Sequence, residues 1–172
     1  MDESGEVKKF GTIRSNADTN GDIFDRAAFV TRSILDITTE YDPALVGLEG
    51  LAFSKFGNAT RDLAGLQFVI ITQLRTTKYG SNLVIISPNL VKKFATGKGS
   101  ADKAAMVEAM PEKLVDEIKE ANYKKTTGLY DIADAYWIAR YTLEEYKKNE
   151  LSTKTTTSQQ RTEAAKTPVQ AG

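Results

Sequence analysis

The sequence predicts an α/β domain with a partly parallel sheet flanked by helices. Two short apolar runs, Val46-Gly47-Leu48-Glu49-Gly50-Leu51-Ala52-Phe53 and Leu83-Val84-Ile85-Ile86, have the length and composition of buried strands. Each follows a longer stretch whose apolar residues recur every three or four positions, the spacing of one helix face. Alternation of helix and apolar strand favours parallel strands joined by helical crossovers. A chain of 172 residues is long enough for one domain with a substantial core.

The elements follow in order. Asp2-Glu3-Ser4-Gly5 reads as a turn, and residues 6–14 as a strand containing Val7 and Ile13. Ala17-Asp18-Thr19-Asn20-Gly21-Asp22 is a polar break rich in cap residues. It resembles the start of a calcium loop, but Phe29 stands where the closing Glu would be, so a break is the preferred reading. Residues 23–41 read as an amphipathic helix with Ile23, Ala27, Val30, Ile34 and Ile37 on one stripe, stopped by Asp42-Pro43. The first apolar strand spans residues 44–53. A second helix spans 59–78, with Leu63, Leu66, Ile70, Ile71 and Leu74 inward, and Tyr79-Gly80-Ser81 closes it. The second strand, 83–86, reads as buried on both faces and ends at Ser87-Pro88-Asn89. Residues 90–103 form a basic stretch. Ser100 then caps a helix over 101–110, and Pro111 is the first residue of another reaching about 123. Residues 124–128 link to a last helix over 129–148. Apolar periodicity vanishes over 149–172, which reads as a disordered tail, leaving 1–148 as the domain.

Composition narrows the chemistry. Lys plus Arg and Asp plus Glu are both 23, so the net charge is zero and any nucleic-acid surface is a local patch. The chain has no Cys and no His. Disulfides, thiolate nucleophiles, Ser-His-Asp triads and imidazole or thiolate metal sites are excluded, which leaves carboxylate, Lys, Tyr, Ser and Thr chemistry. No signal peptide or membrane-spanning run is evident, so a cytosolic protein is expected.

Two acidic signals stand out. Glu49 closes an apolar strand, and ligands gather at the carboxyl ends of such strands. Asp131 and Asp134, within Asp131-Ile132-Ala133-Asp134-Ala135, are three residues apart and share one helix face. A strand carboxylate and a helical pair form the hard-oxygen set that Mg²⁺ or Mn²⁺ takes. The plain alternative is a strand-end Glu and a solvated helix face. The basic stretch carries Lys92, Lys93, Lys98 and Lys103. Thr96-Gly97-Lys98-Gly99-Ser100 fails the Walker pattern, because Lys92 stands in place of its first Gly and Gly99 follows the lysine. A glycine-flanked lysine ahead of a helix start can still hold a backbone phosphate, and the plain alternative is a solvated loop.

Taken together these residues resemble the RuvC-type Holliday-junction resolvases, in particular the shorter phage-type members. Leu48-Glu49-Gly50 resembles their second catalytic strand. Val91-Lys92-Lys93 through Lys103 resembles their basic region, and Asp131-Ile132-Ala133-Asp134-Ala135 their closing aspartate pair, in the same order and spacing. The resemblance spans about residues 6–146. It implies a ribonuclease H-like fold in which four carboxylates bind two Mg²⁺ ions that activate a water to cut a DNA phosphodiester, with Mn²⁺ as a substitute. It implies metal-binding and catalytic roles for Glu49, Asp131 and Asp134. Lys92 and Lys103 would contact DNA, Lys103 at the scissile phosphate, with Lys93 and Lys98 alongside. An aromatic after the glutamate strand, Phe53 or Phe56, would stack at the junction centre, and either could instead be a core residue. A homodimer acting on branched DNA is implied as well.

The chain departs from that pattern at its start. Family members begin with a strand bearing a first catalytic Asp and then a hairpin, whereas this chain opens inside the hairpin's turn. The expectation is therefore an N-terminally incomplete domain lacking two strands and the fourth carboxylate, poorly folded or inactive as it stands. Rival readings are a DNA-binding module that does not cut, and another ribonuclease H-like nuclease such as a ribonuclease or transposase.

Overall fold

The computed structural model describes the backbone of residues 1–51 and 58–164 and the side chains of residues 1–51 and 60–148. In order the elements are α1 (Ala17–Asn20), α2 (Ile23–Tyr41), β1 (Val46–Glu49), α3 (Asn58–Arg75), β2 (Leu83–Ile86), α4 (Pro88–Thr96), α5 (Lys103–Glu108), α6 (Glu112–Glu120) and α7 (Leu129–Ala164). A single 3₁₀ turn, Gly80–Asn82, precedes β2. None of the described helices is long and apolar enough to cross a membrane.

The opening turn forms as expected. Asp2 Oδ1 accepts from the N–H groups of Ser4 at 3.0 Å and Glu6 at 2.9 Å, and Gly5 takes the left-handed φ of 89° that the turn requires. The strand expected over residues 6–14 is not one. Backbone becomes a strand only where a neighbour takes its N–H and C=O groups, and none of the described strands pairs with this segment. It is anchored by side chains instead. Phe10 packs edge-on against Tyr123, ring centroids 6.2 Å apart, over a core of Met110, Val115, Ile118, Leu129 and Ile132. The polar break at 17–22 contains one helical turn, α1, capped by Asn16.

Helix α2 has the expected ends. Asp22 caps it, its side chain accepting from the N–H groups of Phe24 and Asp25 while the Asp25 carboxylate accepts from the Asp22 N–H, and Asp42 ends it in the left-handed region at φ 43°. Its stripe is only partly inward. Val30 and Ile34 pack on Ile70, Leu74 and Tyr79, whereas Ile23 and Ile37 are exposed. Leu63 of α3 is exposed too, against expectation, while Leu66, Ile70 and Leu74 face this core. The ends of α2 and α3 are clamped together. Asp42 Oδ1 receives the Tyr79 hydroxyl at 3.2 Å and the Lys78 ammonium at 2.6 Å.

β1 and β2 pair in parallel, Val46 opposite Leu83 through Glu49 opposite Ile86, which confirms the parallel arrangement in a sheet of two described strands. β1 ends at Glu49 rather than at residue 53. One further hydrogen bond, Gly50 N–H to the Ile86 carbonyl at 2.7 Å, extends the ladder, and Ala52 and Phe53 lie outside the described residues. β2 is buried on one face only. Val84 and Ile86 turn toward Met106 and Ile138, and Ile85 is exposed.

The basic stretch is more helical than its sequence suggests. Ser87-Pro88 ends β2 but also begins α4, with Pro88 at its first turn and Gly97 closing it at φ 79°. The cap of α5 is Asp102 and not Ser100, because Asp102 Oδ1 accepts from the Ala105 N–H at 2.8 Å. Pro111 is the cap of α6 rather than its first residue. Helix α7 starts at Leu129 as expected and continues past Lys148 to Ala164, through residues rich in Thr and Ser that favour helix only weakly, where a disordered tail was expected. Residues 165–172 lie outside the description.

α7 is the element against which the rest is laid. Trp137 Nε1 donates to the Met106 carbonyl at 2.8 Å and fastens α5, while Phe94 of α4 packs edge-on against Trp137 and Tyr141. β1 approaches α7 at Gly47. A Cβ there would overlap Thr142 Oγ1 and lie 2.9 Å from Ile138 Cγ2. Thr142 is buried, and its hydroxyl is committed to the Ile138 carbonyl at 2.8 Å. Gly47→Ala is therefore expected to cost about 1–3 kcal/mol, the usual range for overpacking. Thr142→Ala in the same chain should restore part of the loss, as read from paired urea melts.

Candidate active site

The closeness at Gly47 decides where Glu49 goes. Gly47 and Glu49 point to the same side of β1, the side facing α7. On α7, Asp134 lies one turn before Ile138 and Asp131 nearly one turn before that. Glu49, Asp131 and Asp134 thus line one cleft of about 540 Å³, floored by Gly47, Ile138 and Thr142.

Two lysines enter the same field. Lys103 Nζ is 3.6 Å from Asp134 Oδ2 and 3.9 Å from Asp131 Oδ1. Lys92, half-buried on α4, is close enough for Glu49 and Asp134 both to feel its charge. The carboxyl of Glu49 is nevertheless held above its ordinary value, by burial first and by repulsion from Asp134 second, with Lys103 and Lys92 only partly offsetting them. Asp134 is raised as well. Burial is the main cause, Lys103 opposes it, and Asp131 adds to it. Asp2 lines the cleft but is otherwise engaged. Hydrogen bonds from Ser4, Lys8 and Glu6 hold its carboxyl far below the ordinary range.

Of the residues singled out in the sequence, Glu49, Asp131, Asp134 and Lys103 come together, with Lys92 beside them. Lys93 and Lys98 are exposed on α4 and its closing loop and make no ion pair among the described residues. Phe53 and Phe56 lie outside the described residues. Gly47, Thr142 and Trp137 were not foreseen as positioning residues. A glycine inside an apolar strand was the available signal, since it marks close backbone approach.

The donors suit a hard divalent cation in chemistry more fully than in placement. Glu49 and Asp134 are carboxylates crowded enough to repel, and a cation would relieve that repulsion. Yet no three acidic side chains among the described residues converge on one point.

Both carboxyls bind a proton more tightly in the folded chain than in the unfolded one. Folding is therefore favoured by these groups at low pH, and that contribution is lost as pH rises from the ordinary values of 4.5 and 3.8 through the raised ones. Asp134→Asn should accordingly raise the melting temperature at pH 7 without divalent ions, and the gain should vanish near pH 3.8. Thermal melts across that pH range check it.

A family model described as crossover junction endodeoxyribonuclease RuvC matches residues 3–142. The RuvC crossover junction endodeoxyribonuclease of Gloeobacter violaceus is 33% identical over 108 residues, which cover 63% of this chain and 60% of that relative. The chain thus spans about three fifths of the relative's length. With the match covering most of the chain, from the opening turn to the buried Thr142 of α7, the protein belongs to the RuvC crossover junction endodeoxyribonuclease family.

Proposed function

We propose that this chain carries a ribonuclease H-like nuclease domain, residues 1–148, that cuts branched DNA by metal-assisted phosphodiester hydrolysis. The observation that carries the reading is the meeting of Glu49 and Asp134 across the β1–α7 approach, with Lys103 and Lys92 at their side. Carboxylates alone would repel a DNA backbone. Lysines alone would bind it without acting on it. Their combination in one open cleft is what phosphodiester chemistry needs.

Glu49 and Asp134 would hold a divalent ion, Mg²⁺ or Mn²⁺, and Asp131 would support it from the outer turn of α7. Such an ion, or a pair of them, supplies charge stabilisation at the phosphate and lowers the pKa of a water nucleophile. The chain's own residues do the rest. Lys103 and Lys92 draw the phosphate toward the carboxylates, and Lys93 and Lys98, exposed on α4 and its closing loop, extend the contact to neighbouring phosphates. Gly47 and Thr142 keep β1 seated so that the cleft has a fixed width. Membership of the family supports branched DNA as the substrate and a homodimer as the acting form.

A second reading, a module that grips DNA without cutting it, is favoured by the lack of a three-carboxylate cluster among the described residues. Mg²⁺-dependent cleavage of a synthetic four-way junction separates the two. Under the nuclease reading, Glu49→Gln, Asp131→Asn and Asp134→Asn should each abolish cleavage and leave junction binding largely intact, as followed by gel assay and fluorescence anisotropy. Wild-type cutting by any of the three removes that residue from the site.

The lysines make a separate prediction. Lys92→Ala and Lys103→Ala should each lower the slope of log affinity against log salt by roughly one, the loss of one phosphate contact. Unchanged slopes would make them solvated surface residues.

A further inference from the structure

Lys103 reaches both aspartates of α7 at the cleft. Its backbone opens α5, fixed by the Asp102 cap and by the Trp137 hydrogen bond that ties α5 to α7. Its side chain is 56% exposed and bridges Asp131, 69% exposed, and Asp134, 26% exposed, at 3.9 and 3.6 Å. The anchor is therefore rigid and the ammonium is loosely held. Exposed pairs at such distances are weak enough to be exchanged for a better partner.

We propose that Lys103 is a removable counter-ion. In the metal-free protein it neutralises Asp131 and Asp134 and keeps the two carboxylates from repelling each other outward. A divalent cation at those carboxylates displaces it, and the released ammonium is then free for a DNA phosphate. The inference rests on the reading of these carboxylates as cation ligands. It goes beyond that reading because one side chain is given two partners in turn. Cation and DNA both favour the displaced Lys103, so each should strengthen binding of the other, a reciprocity that linkage requires. Lys92 is the internal control. Its charge is felt by Glu49 and Asp134, but it makes no ion pair with them among the described residues.

The test is Mn²⁺ binding to the metal-free chain without DNA, by calorimetry and by the paramagnetic resonance signal of free Mn²⁺. Lys103→Gln should bind Mn²⁺ roughly three- to tenfold more tightly than the wild type. Lys103→Arg should match the wild type, and Lys92→Gln should change affinity less than Lys103→Gln. Glu49→Gln and Asp134→Asn should weaken binding. If those two bind like the wild type, the cation-ligand reading fails and the inference with it. If they weaken binding while Lys103→Gln is no tighter than the wild type, or Lys92→Gln equals it, the counter-ion role alone is overturned. A short unbranched duplex, used as a phosphate probe in anisotropy, reads the second half. Mn²⁺ should strengthen duplex binding more in the wild type than in Lys103→Gln, and equal effects would refute the hand-over.

Discussion

Everything at the cleft depends on one steric allowance, the missing Cβ at Gly47. Because nothing projects from that position, β1 lies directly against Ile138 and Thr142, and its terminal carboxylate is carried to within electrostatic reach of Asp134. The allowance works only because α7 is itself packed in place at that point. Ile138 and Thr142 are buried, and the aromatic contacts from Phe94 and the Trp137 hydrogen bond hold the same stretch of helix from the other side. The site is built by packing first, and the charges ride on a geometry that apolar contacts have already set.

The charges then oppose the packing. Burial and mutual repulsion raise both Glu49 and Asp134, so the folded chain carries an electrostatic cost at neutral pH that an apolar pair would not. A fold that retains such a cost retains a place for positive charge. Lys103 answers it in part, from a helix whose start is locked by its own cap. The carboxylates therefore have two levels of neutralisation open to them, one supplied by the chain and one from outside.

Much of this was legible in the sequence where a residue's role is local. Glu49, Asp131 and Asp134 announced themselves by type and spacing, and the ends of α2 by Asp22 and Asp42. The parallel pairing of the two apolar runs was legible because alternation of helix and strand leaves few topologies. What was not legible depends on partners far along the chain. Residues 6–14 have strand composition, but a strand is a relation between two segments, and composition cannot supply the second. Helix α4 falls in a stretch legible only as basic, with Ser87-Pro88-Asn89 taken as the end of β2, although Pro88 at a first turn was a helix-start signal. Ile23, Ile37 and Leu63 fit their stripes yet stay exposed, because periodicity tells which residues share a face and not how wide the covering neighbour is. The role of Trp137 was not legible either, because its indole N–H finds its acceptor on α5, thirty-one residues away in sequence.

The clamp between Asp42, Lys78 and Tyr79 lies away from the cleft but sets its alignment. β1 leaves the clamp from Asp42 and β2 leaves it from Tyr79, and the two connecting segments are equal in length, so Val46 and Leu83 arrive side by side. The two strands are in effect ropes of one length tied to one post. Lengthening either rope by a single residue would slide the ladder by one step. A strand that slips by one turns every side chain to its opposite face, so Glu49 would leave the cleft without any change at the cleft itself.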